Sequence, residues 1–238
     1  MKPIVTILGG STPFTAALVE ALRTASAGIP ACELRLFGQD VDALERMARY
    51  GDRRLAALGW SVSSSRRLDQ AVDGAAVVVN QIRFGGLAGR ARDEDLACRF
   101  QLPADETLGP CGLTSALRVV PRIRELAVEL GRLCADAWVL NLSNPLSITT
   151  RMMIRAGAPA RCVGLCELPT ATVVETCRLL GMSFADVEWL ASLTKLPVVV
   201  KGLVRGDDAA RVRAHPRADP LRRARTRRTF AVGRRQGR

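Results

Sequence analysis

Four small residues stand where a strand-to-helix turn could bind a phosphate: Gly9, Gly10, Ser11 and Thr12. They follow an apolar run and precede an amphipathic stretch, so backbone N–H groups and the helix N-terminus could hold a pyrophosphate. The turn is not a complete G-x-G-x-x-G motif. The acid usual at the end of the second strand is also missing, because Gly38 stands there and Asp40 comes later. The turn alone therefore leaves dinucleotide binding and a plain turn equally open.

A second polar group follows the apolar run 75–79, where a Gly-Gly pair would let a ligand approach the backbone. Its members are Asn80, Arg83, Arg90, Arg92, Asp93 and Glu94. The arginines could clamp an anion with bidentate hydrogen bonds. The alternative is a charged, solvated helix face that binds nothing.

Acids and amides also follow the later apolar runs. Glu106 precedes a Gly- and Pro-rich bend, and Asn141 and Asn144 end the run 137–142. An asparagine directly before proline at a strand end could bind a ligand or simply shape the turn.

Cys166 and Glu167 end the next apolar run, 162–165. A thiolate there could bind a metal, and a carboxyl group could move a proton. The spacing Cys162-x3-Cys166 is a poor zinc pattern, and a buried free cysteine is the alternative interpretation.

The elements that carry these residues alternate between strand and helix. Apolar runs predict strands at 4–8, 33–37, 75–79, 137–142 and 162–165, and helical periodicity predicts helices at 16–25, 41–58, 113–133, 146–156 and 170–180. Pro121 is expected to kink or break the fourth of these segments. The alternation predicts a Rossmann-like α/β fold, a doubly wound parallel sheet with its site at the carboxyl ends of the strands.

The pattern changes after residue 187 to short apolar runs without helices between them, which predicts the start of an α+β substrate domain. We expect a first domain at 1–186, an incomplete second domain at 187–210 and a tail at 211–238. The tail has 11 arginines and one acid, so it carries +10 of the net charge of +12. It shows no periodicity and is expected to be disordered. Nonspecific nucleic-acid binding and an out-of-frame reading of a GC-rich gene are the alternatives.

The seven cysteines are odd in number, scattered and mostly set in apolar surroundings. This usage suits reduced, buried thiols in a reducing compartment. No run approaches the roughly 18 to 20 apolar residues that span a bilayer, and the chain starts directly with a strand rather than a signal peptide. We therefore expect a soluble, cytoplasmic protein.

Six motifs in order resemble the family 4 glycoside hydrolases, the NAD- and manganese-dependent glycosidases. The motifs are GGST, NQIRFGG with R-x-R-D-E, DETLGP-x-G, ALRVVP, AWVLNLSNP and GLC-x-x-P, within residues 3–205. The resemblance implies a Rossmann-like NAD-binding domain. It also implies cleavage of O-glycosyl bonds, mostly of 6-phosphorylated α- or β-glucosides, by oxidation at C3, deprotonation at C2 and elimination, rather than by two carboxylates.

The resemblance also implies roles for individual residues. The turn 9–12 would bind NAD, Arg90 and Asn144 the substrate, and Cys166 a divalent metal, usually manganese. Glu106 would support the catalytic base, and Glu167 stands where α-specific members often carry the acid that protonates the leaving group.

The chain departs from the family at its second metal ligand, a histidine in a GLNHL-like motif. Here the segment reads SLTKL, with Thr194 and Lys195, and an ammonium group has no lone pair for a metal. His215 lies in the tail and Tyr50 in an early helix, so neither matches the family's histidine or its tyrosine base. We therefore expect weak metal affinity or none, and a truncated or frame-shifted member with poor or no turnover.

Three other interpretations stay open at this point. The chain could be a non-catalytic NAD-binding remnant, or a basic-tailed binding protein. It could also be an NAD-dependent dehydrogenase of the malate or lactate type, although the sequence has no suitably placed histidine for the His-Asp relay of those enzymes. If the protein is full length, the family also implies a homo-oligomer.

Overall fold

The computed structural model describes residues 2–25, 28–107 and 109–166, together with Leu179 and Gly181. Its strands are β1 (Ile4–Leu8), β2 (Glu33–Phe37), β3 (Ser61–Ser65), β4 (Val77–Asn80), β5 (Trp138–Asn141) and β6 (Arg161–Gly164). Its α-helices are α1 (Pro13–Thr24), α2 (Val41–Leu55), α3 (Leu68–Val72), α4 (Gly86–Arg99), α5 (Gly109–Leu133) and α6 (Leu146–Arg155).

The strands form one sheet in the order β3-β2-β1-β4-β5-β6, and all neighbouring pairs are parallel. Strands β2 and β3 extend the sheet on one side of β1, whereas β4, β5 and β6 extend it on the other side. In open α/β sheets, ligands bind at such a switch point, outside the carboxyl ends of the strands. The predicted doubly wound parallel sheet is therefore confirmed.

Helices cover the sheet on both faces, because alternate residues of each strand point to opposite sides. Leu8 packs with Ile123 of α5 and Met153 of α6 in one cluster of buried residues, which also includes Val72 of α3. Ile7 packs in the other cluster, with helix residues Val19, Leu44 and Leu55 of α1 and α2.

Several element bounds differ from the prediction. Helix α1 begins at Pro13 rather than at residue 16, since proline suits the first helical position. The helix predicted at 41–58 is α-helical only to Leu55, and a 3₁₀ turn at Ala56–Leu58 completes it. The predicted break at Pro121 is wrong: α5 continues through this residue. Strand β3 and helix α3 were not predicted, and α4 entered the prediction only as the alternative of a charged helix face.

Apart from Leu179, the predicted helix at 170–180 lies outside the described residues, as do the domain bounds at 186 and 210 and the tail. All of these stay predictions. All the named strands and helices belong to one compact unit that ends at Leu165. Within the part of the chain that the structure describes, none of the helices combines the length and apolarity needed to cross a membrane.

Candidate active site at the carboxyl edge of the sheet

The predicted turn at residues 9–12 joins β1 to α1 at the carboxyl edge of the sheet. The N–H groups of Gly9 and Gly10 both donate to the carbonyl oxygen of Phe37, at 3.0 and 2.8 Å. A Cβ atom on Gly10 would lie 2.7 Å from the Cβ of Leu36. The two glycines therefore fix the turn against the end of β2.

The start of α1 offers N–H groups that fit a phosphate. Thr12 donates to the carbonyl of Gly9 and Thr15 to that of Thr12, whereas Pro13 has no N–H. Among the described residues, the N–H groups of Ser11 and Phe14 have no partner, and the first helical turn holds no acid that would repel an anion. The residues present at this turn therefore fit the pyrophosphate of a dinucleotide.

The acid nearest to the end of β2 has a structural role. The side chain of Asp40 accepts a 3.0 Å hydrogen bond from the N–H of Ala43 and so caps α2. Gly38 stands closer to the turn, where an added Cβ would lie 3.0 Å from the Ser11 hydroxyl oxygen. The acid that follows β2 in the sequence is therefore used as a helix cap.

Two of the residues singled out by the family resemblance, Arg90 and Asn144, come together around a third, Glu106. Arg90 Nη1 donates to Glu106 Oε2 at 2.7 Å, and Asn144 Nδ2 approaches the same oxygen at 3.4 Å. Arg83 donates to the other oxygen, Oε1. The Glu106 side chain is only 17% exposed. One largely buried carboxylate therefore contacts side chains from the ends of β4 and β5 and from α4.

Charges in this Glu106 cluster are balanced. Arg90 also donates through Nε to Glu94 Oε1 at 2.5 Å, one helical turn further along α4. The hydrogen bond from Arg90 to Glu94, followed by the charge of Glu106, raises the pKa of the Arg90 guanidinium. Arg83 and Arg90 thus face Glu94 and Glu106, and the cluster has donors and acceptors but no surplus charge.

Arg83 is one of the arginines that the sequence marks as able to clamp an anion, but the family resemblance carries no role to it. Its contact with Glu106 spans 23 residues of sequence, which no local pattern reveals. The loop that carries Glu106 lies against α5, where an added Cβ on Gly112 would be 2.7 Å from the Thr107 carbonyl carbon. Glycine is therefore required at position 112 for this approach.

A buried amide network joins the ends of β4 and β5 directly before Asn144. Asn80 Nδ2 donates to Asn141 Oδ1 at 2.8 Å and to Ser143 Oγ at 3.1 Å. Asn141 Nδ2 donates to the hydroxyl oxygens of Thr149 and Thr150 in α6. The peptide bond between Asn144 and Pro145 is cis. Asn141 therefore has a structural role, whereas Asn144 faces the Glu106 cluster.

Cys166 lies two residues beyond β6 as a half-buried, free thiol, and Glu167 lies outside the described residues. Thr194 and Lys195 lie outside them as well. Within the described ranges no group of three or more His, Cys, Asp or Glu side chains could hold a metal. The role of Cys166 as a metal ligand and the weak metal affinity expected from Lys195 therefore stay predictions.

The other described cysteines are free too, as the sequence predicted. Burial raises the pKa of the Cys134 and Cys162 thiols to about 11. Both are therefore protonated and inert at neutral pH.

Comparisons with known proteins agree with this arrangement. A sequence model of the family described as family 4 glycosyl hydrolase matches residues 3–182. A probable 6-phospho-beta-glucosidase of Bacillus subtilis (strain 168) is 32% identical over 189 residues, which are 78% of this chain and 42% of that protein. A maltose-6'-phosphate glucosidase of the same organism is 26% identical over 181 residues, which are 75% of this chain and 40% of that protein.

A solved structure shares the fold: a 6-phospho-alpha-glucosidase from gut microorganisms in complex with NAD and Mn2+. It superposes with a TM-score of 0.71 at 24% identity, and the match covers 78% of this chain and 43% of that one. The chain thus spans less than half the length of the relatives it matches.

Proposed function

Because the chain belongs to the family 4 glycosyl hydrolases, we propose that it forms the NAD-binding part of a glycosidase that cleaves O-glycosyl bonds of 6-phosphorylated glycosides. The observation that carries the proposal is the convergence of Arg83, Arg90 and Asn144 on Glu106. These residues lie at the switch point of the sheet, on the edge that also holds the glycine turn, where α/β folds bind ligands.

When bound, NAD supplies a reversible hydride acceptor for C3 of the sugar, and oxidation at C3 acidifies the proton on C2, so that the aglycone can be eliminated. The chain's residues bind and orient the reactants. In this proposal the N–H groups of Ser11 and Phe14 hold the pyrophosphate. Arg90 and Asn144 hold the sugar, with Glu106 as the acceptor that fixes both.

The balanced charges of the Glu106 cluster support contact with neutral parts of the substrate. The guanidinium and amide groups can donate to sugar hydroxyls while the Glu106 carboxylate accepts from them. A phosphate would meet no surplus positive charge here. We therefore propose that the cluster binds the sugar ring, and that the phosphate of the substrate contacts other residues.

No step of this proposal is assigned to a metal, because Cys166 is the only predicted metal ligand among the described residues. The relative whose structure contains Mn2+ is more than twice as long as the matched segment. Glu167 remains our candidate for the proton donor to the leaving group.

The second candidate function is a non-catalytic NAD-binding protein, which would bind the cofactor without turning over a glycoside. Lys195 in place of the family's histidine favours this second candidate.

We also propose a cytoplasmic homo-oligomer. The free, buried thiols suit a reducing compartment. Leu113, Leu117 and Val128 of α5 are all at least half exposed, which is typical of residues that another surface covers. The near-neutral charge of residues 1–210 gives no reason to propose a specific nucleic-acid partner.

The experiment titrates the full chain with NAD+ by calorimetry. It then assays release of 4-nitrophenol from the 6-phosphorylated α- and β-glucosides, with NAD+, with and without Mn2+. The unphosphorylated glucosides are the matched control substrates. Binding of NAD+ with cleavage of phosphorylated substrates alone would support a glycosidase. Binding without cleavage would favour the non-catalytic candidate, and absence of NAD+ binding would overturn both.

A further inference from the structure

Gln81 links the glycine turn to the strand beside it. Its N–H donates to the Leu8 carbonyl at 3.0 Å and so extends the β1–β4 pairing by one residue. Its side-chain Nε2 lies 2.7 Å from Thr15 Oγ1, 3.2 Å from the Gly9 carbonyl oxygen and 3.3 Å from Thr12 Oγ1. One amide group therefore contacts the first residue of the turn, its last residue and the first turn of α1.

The carbonyl of Gly9 is held from two sides. It accepts from the Thr12 N–H at 3.2 Å and from Gln81 Nε2. Thr15 is fully buried, so its hydroxyl oxygen depends on a protein partner rather than on water. The turn is thus fixed before any ligand binds, and a site fixed in advance loses less conformational entropy on binding.

Gln81 also stands in a segment that serves both halves of the candidate site. Its neighbour Asn80 belongs to the amide network at the end of β5, and Arg83 donates to Glu106. The segment 80–83 therefore connects the turn at residues 9–12 with the cluster around Glu106.

From this geometry, and on the premise of the proposed NAD binding, we infer that Gln81 is a positioning residue for the dinucleotide. It acts through the turn, which it holds in the form that presents the N–H groups of Ser11 and Phe14 to the pyrophosphate. It makes no contact with the reacting atoms in this assignment. Its effect should consequently be confined to ligands that contain the pyrophosphate.

The test compares Gln81→Met with the wild-type chain in titrations with NAD+, ADP-ribose and adenosine. Methionine keeps the length of the side chain but donates no hydrogen bond. We expect the dissociation constants of NAD+ and ADP-ribose to rise about tenfold, the equivalent of roughly 1.4 kcal/mol. The dissociation constant of adenosine, which has no phosphate, should change less than about twofold. Gln70→Met, at an exposed position of α3, is the matched control and should change none of the three.

A second pair of variants decides the matter if Gln81→Met does not fold. Thr15→Ser keeps the hydroxyl that contacts Gln81 and should bind NAD+ like the wild type. Thr15→Val removes the hydroxyl and should weaken NAD+ and ADP-ribose as Gln81→Met does. Melting temperatures of all variants show which ones fold.

The outcomes separate this inference from the function on which it rests. If the wild type binds NAD+ and the Gln81 and Thr15 variants bind it equally well, the positioning role is wrong and the proposed function stands. Equal weakening of all three ligands would show a general loss of structure and would also overturn the role. If the wild type binds neither NAD+ nor ADP-ribose, the proposed function fails, and the role of Gln81 fails with it.

Discussion

Arg118 of α5 holds the carboxylate of Asp93 in α4 with two hydrogen bonds, from Nη1 at 2.7 Å and from Nη2 at 2.5 Å. The Asp93 side chain is only 6% exposed. Arg118 also donates through Nε to the carbonyl of Phe84, at the turn that leads into α4. The pair therefore fixes α4 relative to α5. Helix α4 carries Arg90, and the loop with Glu106 lies against α5.

Replacing Arg118 should destabilise the protein strongly. Arg118→Met leaves a buried carboxylate without its partner, so we expect the free energy of unfolding to fall by about 3 kcal/mol. Urea unfolding followed by circular dichroism measures the change. Arg122→Met removes an exposed ion pair with Glu125 on the same helix and should cost about 0.5 kcal/mol or less. Equal losses in the two variants would show that the pair between Arg118 and Asp93 contributes no more to the free energy of unfolding than an exposed ion pair.

The same pair predicts how stability depends on pH. The hydrogen bond from Arg118 holds the pKa of Asp93 below its usual value. A carboxyl group with a lowered pKa in the folded state stabilises the fold above its unfolded pKa of about 3.9, and this contribution is lost as the pH falls through the folded value. We expect the unfolding free energy of Asp93→Asn to decline less between about pH 5 and pH 2 than that of the wild type. Parallel declines would contradict this account.

The parts of the fold that the sequence predicted are those with strong apolar patterns. Strands β1 and β2 have the predicted bounds, and β4, β5 and β6 differ by one or two residues. Strand β3 was missed because its sequence, SVSSS, is polar and lies at the sheet edge. Helix α4 was predicted only as an alternative because glycines and charges dominate its sequence, and its tertiary contacts override this weak propensity.

The candidate site was predictable from motifs but not from local patterns. Arg90, Glu106 and Asn144 were singled out through the family resemblance, and the structure brings them together. The resemblance carries no role to Arg83 or Gln81, and no local pattern reveals their contacts with residues 23 to 72 positions away. Such contacts follow from the order of the strands, which the alternation of elements does not specify. The roles of the site residues stay predictions.

Substituting Gly10 should strain the turn at residues 9–12. In Gly10→Ala the new methyl group would lie 2.7 Å from Leu36 Cβ and 3.0 Å from Leu36 Cα, so β2 or the turn must move. We expect a loss of about 1–3 kcal/mol of stability, as overpacking typically causes. Gly28→Ala is the control, since an added Cβ there meets nothing within 4 Å. If Gly10→Ala unfolds at the same urea concentration as Gly28→Ala, the turn is not held against β2 as the structure shows.

Removing the charge of Glu106 tests the cluster at the centre of the proposed function. In Glu106→Gln the side chain keeps its shape but becomes a neutral amide that attracts Arg83 and Arg90 less, so both guanidiniums lose their fixed position. We expect the affinity for glucose 6-phosphate, measured by calorimetry in the presence of NAD+, to fall about tenfold, or roughly 1.4 kcal/mol. The affinity for NAD+ itself should be unchanged, because the turn at residues 9–12 does not contact Glu106. Glu129→Gln, which loses an exposed ion pair with Arg132 on α5, controls for a mere change in net charge and should bind both ligands like the wild type. Unchanged glucose 6-phosphate affinity in Glu106→Gln would place the sugar elsewhere. A parallel loss of NAD+ affinity would mean that the cluster supports the whole carboxyl edge of the sheet and not the sugar site alone.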